Sequence, residues 1–266
     1  MTRWLFRLDR DGLVGDYRAG MSSRAVGKKY GCSMQTVRRE LRRRGESIRA
    51  PSSDRTYDLD EHFFDVIDTE EKAYWLGFLT ADGYVHEPYF VSTRLKRADR
   101  SHLGLLKEAV RSDAPIYDGV ATRKGKKYPY SGLDLNSVIL VRALVRLGVM
   151  QAKSNKVKPC GAVPEHLLRH YWRGVFDGDG CISISGKRIQ IRLTGSTNIT
   201  EAFRSYLALH GVLTSWYHHG KGGLVCTAGR DRPAAALEVL YDRANIFLFR
   251  KGRLADRAAL LAGKDG

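Results

Sequence analysis

The chain carries one short pattern twice. Residues 74–83 read Tyr74-Trp75-Leu76-Gly77-Phe78-Leu79-Thr80-Ala81-Asp82-Gly83, and residues 171–180 read Tyr171-Trp172-Arg173-Gly174-Val175-Phe176-Asp177-Gly178-Asp179-Gly180. An internal repeat constrains topology before any other signal, because both copies must find equivalent surroundings. Each copy runs into an apolar pair able to start a strand, Tyr84-Val85 or Cys181-Ile182. Read as helices, the copies place Gly77 with Ala81, and Gly174 with Gly178, one turn apart on a single face. Glycine inside a helix costs roughly 1 kcal/mol against alanine. Small residues placed this way imply that another backbone comes very close, and the natural partner is the other copy.

Such a pair would end in Asp82 and Asp179 at one edge of the interface. A helix C-terminus already carries partial negative charge, and two carboxylates there repel. A cation relieves both problems. Oxygen-preferring Mg²⁺ is held by one or two carboxylates plus substrate phosphates, and paired metals stabilise both oxygens of a phosphodiester displacement. The pattern therefore suggests a symmetric metal–phosphate site.

The two stretches resemble the paired motifs of LAGLIDADG homing endonucleases in their single-chain, two-motif form. Ala-Asp-Gly alone also makes ordinary turns; two copies 97 residues apart (179 − 82) are far more specific. The resemblance covers about residues 60–260. It places Asp82 and Asp179 at the metal-binding, catalytic position, assisted by the backbone carbonyls of Ala81 and Gly178. It also implies an α+β fold of two pseudo-symmetric αββαββα repeats. Lys153 lies 71 residues beyond Asp82 (153 − 82) and Lys251 lies 72 beyond Asp179 (251 − 179). The family has a basic residue near this place lining the active centre, where a lysine would stabilise phosphate charge or perturb a water. A surface lysine at a helix end is the competing reading.

Charge agrees with a polyanionic partner. The 266 residues hold 45 Lys and Arg against 29 Asp and Glu, a net +16 with pI near 9.8, which favours nucleic acid. Hydrophobic residues at 43% suffice for a real core. No apolar run is long enough to span a bilayer, and the first residues lack the apolar stretch of a signal peptide. Cys32, Cys160, Cys181 and Cys226 show no Cys-x-x-Cys pairing. They read as reduced thiols of a cytoplasmic, nucleoid-associated protein.

Residues 1–50 read as a separate helix-turn-helix unit. Helices are expected over Asp11–Ala19, Ser23–Tyr30 and Met34–Arg44, with Gly31-Cys32 as the turn and Ser33 capping the last. In that last helix Val37 and Leu41 face inward. Gln35 and Thr36 would touch base edges, and Arg38, Arg39 and Arg42 would touch phosphates. A basic helical hairpin serving only as a packing arm is the plain alternative. Residues 51–59, with Pro51-Ser52-Ser53-Asp54, form a linker. The first repeat spans 60–160, opening with helical pattern over Asp60–Ile67, and the second spans 161–266.

Within the first repeat, strands are expected at 84–86, 89–95, 116–123 and 128–135, with Lys124-Gly125-Lys126-Lys127 as a basic tip. Helices fit 100–111 and 136–147. The second repeats the order: strands at 181–185, 188–194, 213–218 and 223–228, and helices at 200–210 and 233–241. Sheets from both halves would form a saddle over double-stranded DNA, reading it with Arg94, Lys96, Arg123, Lys126, Arg192 and Ser196. A one-residue register slip would turn each away. His166 and His170 lack the glutamate of a zinc-protease pair. Asp177 has Thr80 as its counterpart, so it falls outside a mechanism shared by both copies.

The reading is a monomeric, Mg²⁺-dependent endonuclease that hydrolyses both strands of a long DNA site. The alternative keeps the fold without cleavage, as a DNA-binding regulator or a maturase with intron RNA as partner. An intein would begin with Cys or Ser and end in His-Asn; this chain begins Met1 and ends Lys264-Asp265-Gly266.

Overall fold

The computed structural model describes residues 8–48, 57–149 and 157–263, and the chain divides into two compact units at residue 56. The first unit holds three short helices: α1 (Arg10–Arg18), α2 (Ser23–Lys29) and α3 (Met34–Arg43). Each starts at a side chain that accepts an otherwise orphaned backbone N–H, namely Asp9, Ser22 and Ser33. Their inner faces bury Leu13, Val14, Tyr17, Val26, Val37 and Leu41. Gly31 adopts φ 65° in the turn between α2 and α3, a conformation that only glycine takes without penalty. Glu40, buried in α3, pairs with Arg10, Arg43 and Arg44 and ties the last helix to the first.

The second unit is built on two central helices, α4 (Glu70–Asp82) and α7 (Leu168–Asp179). After α4 come β1 (Gly83–His86), β2 (Phe90–Lys96), α5 (Arg100–Ala109), β3 (Tyr117–Arg123), β4 (Lys126–Asn136) and α6 (Val138–Arg146). After α7 come β5 (Gly180–Ser185), β6 (Arg188–Gly195), α8 (Thr197–Leu209), β7 (Ser215–His219), β8 (Gly222–Gly229) and α9 (Asp231–Tyr241). Both sheets are antiparallel with the same order, β1-β2-β4-β3 and β5-β6-β8-β7. The αββαββα repeat is thus present twice. Along β2, Val91, Thr93 and Leu95 are buried while Arg94 and Lys96 are exposed. That alternation sets one face of the sheet on the helices and leaves the other open.

Three details depart from expectation. Residues 60–67 form turns instead of a helix. Asp60 bonds the His62 backbone N–H at 3.0 Å and the His62 ring meets Asp65 at 2.6 Å, local bonds that compete with a helical ladder. The β3–β4 tip is only Lys124-Gly125, since Arg123 pairs with Lys126, so Lys126 and Lys127 lie inside the strand. An unanticipated helix, α10 (Phe249–Ala262), follows the second repeat. It has no side-chain cap, and Gly252 interrupts its first turns, so its start signals are missing from the sequence.

Candidate metal centre and nucleic-acid face

The centre is made by backbone contact between α4 and α7. A Cβ at Gly77 would collide with the Tyr171 carbonyl and lie 3.0 Å from the Val175 nitrogen. A Cβ at Gly174 would collide with the Tyr74 carbonyl and lie 2.7 Å from the Phe78 nitrogen. The next turn continues the approach, because a Cβ at Gly178 would sit 3.5 Å from Asp82 Oδ2. The side chain of Asp82 therefore reaches across to α7 beside Gly178. Asp82 and Ala81 of α4 thus lie against Gly178 of α7, one residue before Asp179 at the end of that helix. A cavity of about 410 Å³ opens beside them, lined by Thr80, Ala81, Asp179, Thr194 and His219 among others.

Lys251, on α10, is buried behind this end. Its Nζ donates to the carbonyls of Phe176 (2.6 Å), Asp177 (2.7 Å) and Gly180 (2.6 Å). Three ammonium protons go to three carbonyls at the C-terminus of α7, satisfying groups that a helix end leaves orphaned. The Gly178 carbonyl is not among those acceptors. Burial pushes the Lys251 pKa down to about 8, against the pull of Asp177, Asp82 and Asp179. Its ammonium thus works as a helix cap within the field of both carboxylates. Lys153 lies outside the described residues.

Asp177, set aside in the sequence, is a buried hub. It accepts from the Tyr74 hydroxyl (2.8 Å), the Tyr241 hydroxyl (2.6 Å) and the Leu248 backbone N–H (2.6 Å). These join the first motif helix, α9 and the start of α10. The signal was present: an aspartate on the apolar face of a helix must find partners or stay neutral. At the opposite ends of the helix pair, fully buried Arg173 donates to Glu70 at 2.6 Å and to the carbonyls of Ile246 and Leu240. Asn245 adds two hydrogen bonds to Glu70. Burial works against the Glu70 charge, but the Asn245 bonds and Arg173 outweigh it and hold its pKa below the ordinary range.

Tyr74 also meets His102 Nε2 at 2.8 Å, and His102 lies among the rings of Tyr74, Trp75 and Phe78. Burial, helped by Arg250 and Lys251 and opposed by Asp99, pushes the His102 pKa from 6.5 down to about 4. The unfolded chain therefore takes up this proton first as pH falls. Stability tied to neutral His102 is whole above pH 6.5 and is lost toward pH 4. Wild type is expected to lose about 3 kcal/mol across that interval that His102→Gln does not lose. Urea midpoints measured at several pH values check this, and parallel pH curves for the two proteins would refute it.

The open faces of the sheets collect the sequence-predicted cations. Strand pairing puts Arg94 and Lys96 on one face with Gly132, Tyr130, Tyr117 and Gly119. Arg123 and Lys126 pair on that same face at the outer end. In the second sheet Arg192 lies between Cys181 and Cys226 on the corresponding face. Arg97 and Arg100 differ, lying 3.9 and 3.6 Å from Asp118. Ser196 does not join this face. It is buried, caps α8 by accepting from the Ile199 N–H, and donates to the Val157 carbonyl. A serine before a helix caps it more cheaply than it reaches a ligand.

In the first unit Gln35, Arg39 and Arg42 are exposed, and neither arginine has an ion-pair partner among the described residues. Arg38 is half-buried, with its Nε enclosed and unpartnered. The Thr36 hydroxyl bonds Ser33 at 2.9 Å inside the cap of α3, which ties it down where base contact was expected.

Two four-stranded sheets carried on a glycine-locked helix pair, each helix ending in aspartate, define the LAGLIDADG homing endonuclease fold. The homing endonuclease I-WcaI bound to its DNA recognition sequence is similar, with 10% identity over 71% of this chain and 86% of that chain and a TM-score of 0.50. Full-length DUF199/WhiA from Thermatoga maritima matches with 17% identity over 78% of this chain and 66% of that one, TM-score 0.44. The N-terminal LAGLIDADG domain of DUF199/WhiA matches with 14% identity, 68% and 89% coverage, and TM-score 0.43. This chain thus spans just under two thirds of the full-length WhiA protein. No protein-family model and no curated protein matches the sequence. No described helix is long and apolar enough to cross a membrane.

Proposed function

We propose that the protein is a site-specific homing endonuclease that hydrolyses both strands of double-stranded DNA with a divalent cation, Mg²⁺. The observation that supports this reading is the approach of Asp82 to Gly178, the residue before Asp179, at the paired helix ends. Backbone contact along the helices forces two carboxylates into a region already negative from the helix dipoles. Among the described residues there is no cluster of three or more His, Cys, Asp or Glu side chains arranged for a metal. The donor set is instead carboxylate and main-chain oxygen, which suits Mg²⁺ completed by substrate phosphates. Asp82 and Asp179, with the carbonyls of Ala81 and Gly178, would hold the cation. When bound, it supplies charge neutralisation at the phosphate oxygens and a more acidic water.

The protein's own groups bind and orient. Arg94, Lys96, Arg123, Lys126 and Arg192 neutralise and read the duplex from the open sheet faces. Lys251 acts as a positioning residue: by closing the last carbonyls of α7 it fixes the turn that presents Asp179. Lys153, at the matching sequence offset from Asp82, is assigned to the support of the active centre. The first unit is a helix-turn-helix that adds a second DNA contact through Gln35, Arg39 and Arg42. The protein acts as a monomer, since one chain carries both carboxylates.

The purified chain, incubated with a randomised duplex library, is expected to release a unique class of cut ends with Mg²⁺ and none with EDTA. Sequencing the ends reads the result, and Arg39→Ala with Arg42→Ala should shift site choice without stopping cleavage. Selective binding with no cutting in Mg²⁺, Mn²⁺ or Ca²⁺ would instead establish the non-cleaving regulator.

A further inference from the structure

Arg94 sits in a seat made by two tyrosines and two glycines. Across three strands the pairing forms two rows on the open face: Arg94–Gly132–Tyr117, and Lys96–Tyr130–Gly119. Glycine and tyrosine alternate, and each tyrosine ring lies over the glycine paired with it in its own row. A Cβ at Gly132 would come 2.5 Å from the Tyr117 ring, and one at Gly119 would come 2.5 Å from the Tyr130 ring. The two rings stand nearly perpendicular, at 87° with centroids 6.4 Å apart. Lacking a side chain, Gly132 lets Tyr117 lean across β4 toward Arg94.

The arginine is held from two sides. Its guanidinium carbon lies 5.4 Å from the centroid of the Tyr130 ring, within cation–π range. On the other side Tyr117, with a smaller pull from Asp134, raises the guanidinium pKa. The Tyr117 hydroxyl donates to Asp134 Oδ1 at 3.1 Å, fixing its own direction. No carboxylate forms an ion pair with Arg94 among the described residues, whereas Arg97 and Arg100 share Asp118. Arg94 is thus exposed on the open face while its guanidinium is seated against an aromatic ring. A phosphate contact needs only a charge on a flexible stem. Restraint of a planar fork is what bidentate recognition of a base edge requires.

The second sheet lacks this mount. Gly83 pairs with Thr93 after the first motif, and Gly180 pairs with Leu193 after the second. Counting from those pairs, Thr194 stands where Arg94 does, and its row is Thr194–Leu224–Tyr217. Leu224 fills the gap that Gly132 leaves open.

We infer that Arg94, mounted by Tyr117 and Tyr130, reads a guanine through its O6 and N7 in the major groove, and that the second half has no matching reader. The recognised DNA then carries a required guanine on one side of its centre only. Guanine is the base whose two major-groove acceptors match an arginine fork. This inference rests on the open sheet faces being the DNA-binding surface; it does not need cleavage.

The test is selection of bound duplexes from a randomised library by the full-length protein in EDTA, with sequencing of the bound fraction. Wild type should show one strongly required guanine without a mirror-related partner. Arg94→Lys keeps the charge but loses the fork, and should lower guanine discrimination at that position about ten- to hundredfold while lowering affinity for non-specific duplex far less. Tyr117→Phe and Gly132→Leu leave Arg94 in place but undo its mount, and should each relax the same position several-fold. An unchanged guanine requirement in Arg94→Lys overturns the assignment, as does equal weakening on every sequence, the mark of a phosphate contact. A wild type that binds no duplex removes both this inference and the DNA-binding face. A wild type that selects guanine yet never cuts removes only the endonuclease.

Discussion

Asp82→Asn and Asp179→Asn, made one at a time, are each expected to lower double-strand cleavage about a thousandfold or more, with DNA affinity within about twofold of wild type. Losing one carboxylate from a two-carboxylate cation site removes several kcal/mol of charge stabilisation, and roughly 4 kcal/mol is a factor of a thousand. Asparagine has nearly the same shape, so the packing at Gly178 survives. Stability should move the other way. The helix ends are negative, so removing one charge without metal relieves part of that cost, against the lost attraction to the Lys251 ammonium. The melting temperature in EDTA should therefore hold or rise while activity collapses. Cleavage at the wild-type rate in either variant would remove the site, and a melting temperature many degrees lower would make these residues structural.

Gly174→Ala is expected to destabilise the second unit by about 3 kcal/mol or more. The added methyl would meet the Tyr74 carbonyl and the Phe78 nitrogen, 2.7 Å away for the latter. Both are main-chain atoms in a regular helix, so no rotamer change relieves the overlap; the helices must separate. Separation also pulls Asp82 from Gly178, so cleavage should fall with stability. Gly104→Ala is the matched control. Gly104 lies inside α5 with nothing within 4 Å of the added methyl, so the same change should stabilise by roughly 0.5–1 kcal/mol. Urea unfolding of the two variants reads the contrast. Similar small effects would mean that the helices can slide apart, and the backbone-contact account would fall.

The helix pair was legible because its signals are local and repeated. Glycines four apart, Asp-Gly at the end and a strand start directly after can each be recognised within ten residues, and the second copy removes chance. The order of elements along the chain followed from the repeat, whereas the strand order within each sheet came from the structure. Less local features were not legible. Ser196 had the composition of a DNA contact, but its hydroxyl closes the first turn of α8. Residues 60–67 had helical spacing, yet Asp60 and His62 satisfy the backbone in turns. The seat of Arg94 depends on Gly132 pairing with both Arg94 and Tyr117, and no spacing along the chain records that pairing.

By itself the sequence determined the doubled αββαββα order, the helix pair, the positions of Asp82 and Asp179 and the basic character of the surface. Each rests on periodicity, glycine spacing or charge, which act over a few residues or over the whole composition. Only the tertiary structure decided which groups those elements satisfy. It gave Lys251 three carbonyls of α7, and made Asp177 the hub for two tyrosines and the start of α10. It also separated arginines tied to acids, such as Arg97 and Arg100, from arginines with no ion pair among the described residues. Buried hydrogen bonds and ion pairs join residues far apart in the chain, and strong side-chain chemistry is spent wherever a buried polar group would otherwise stay unpaired.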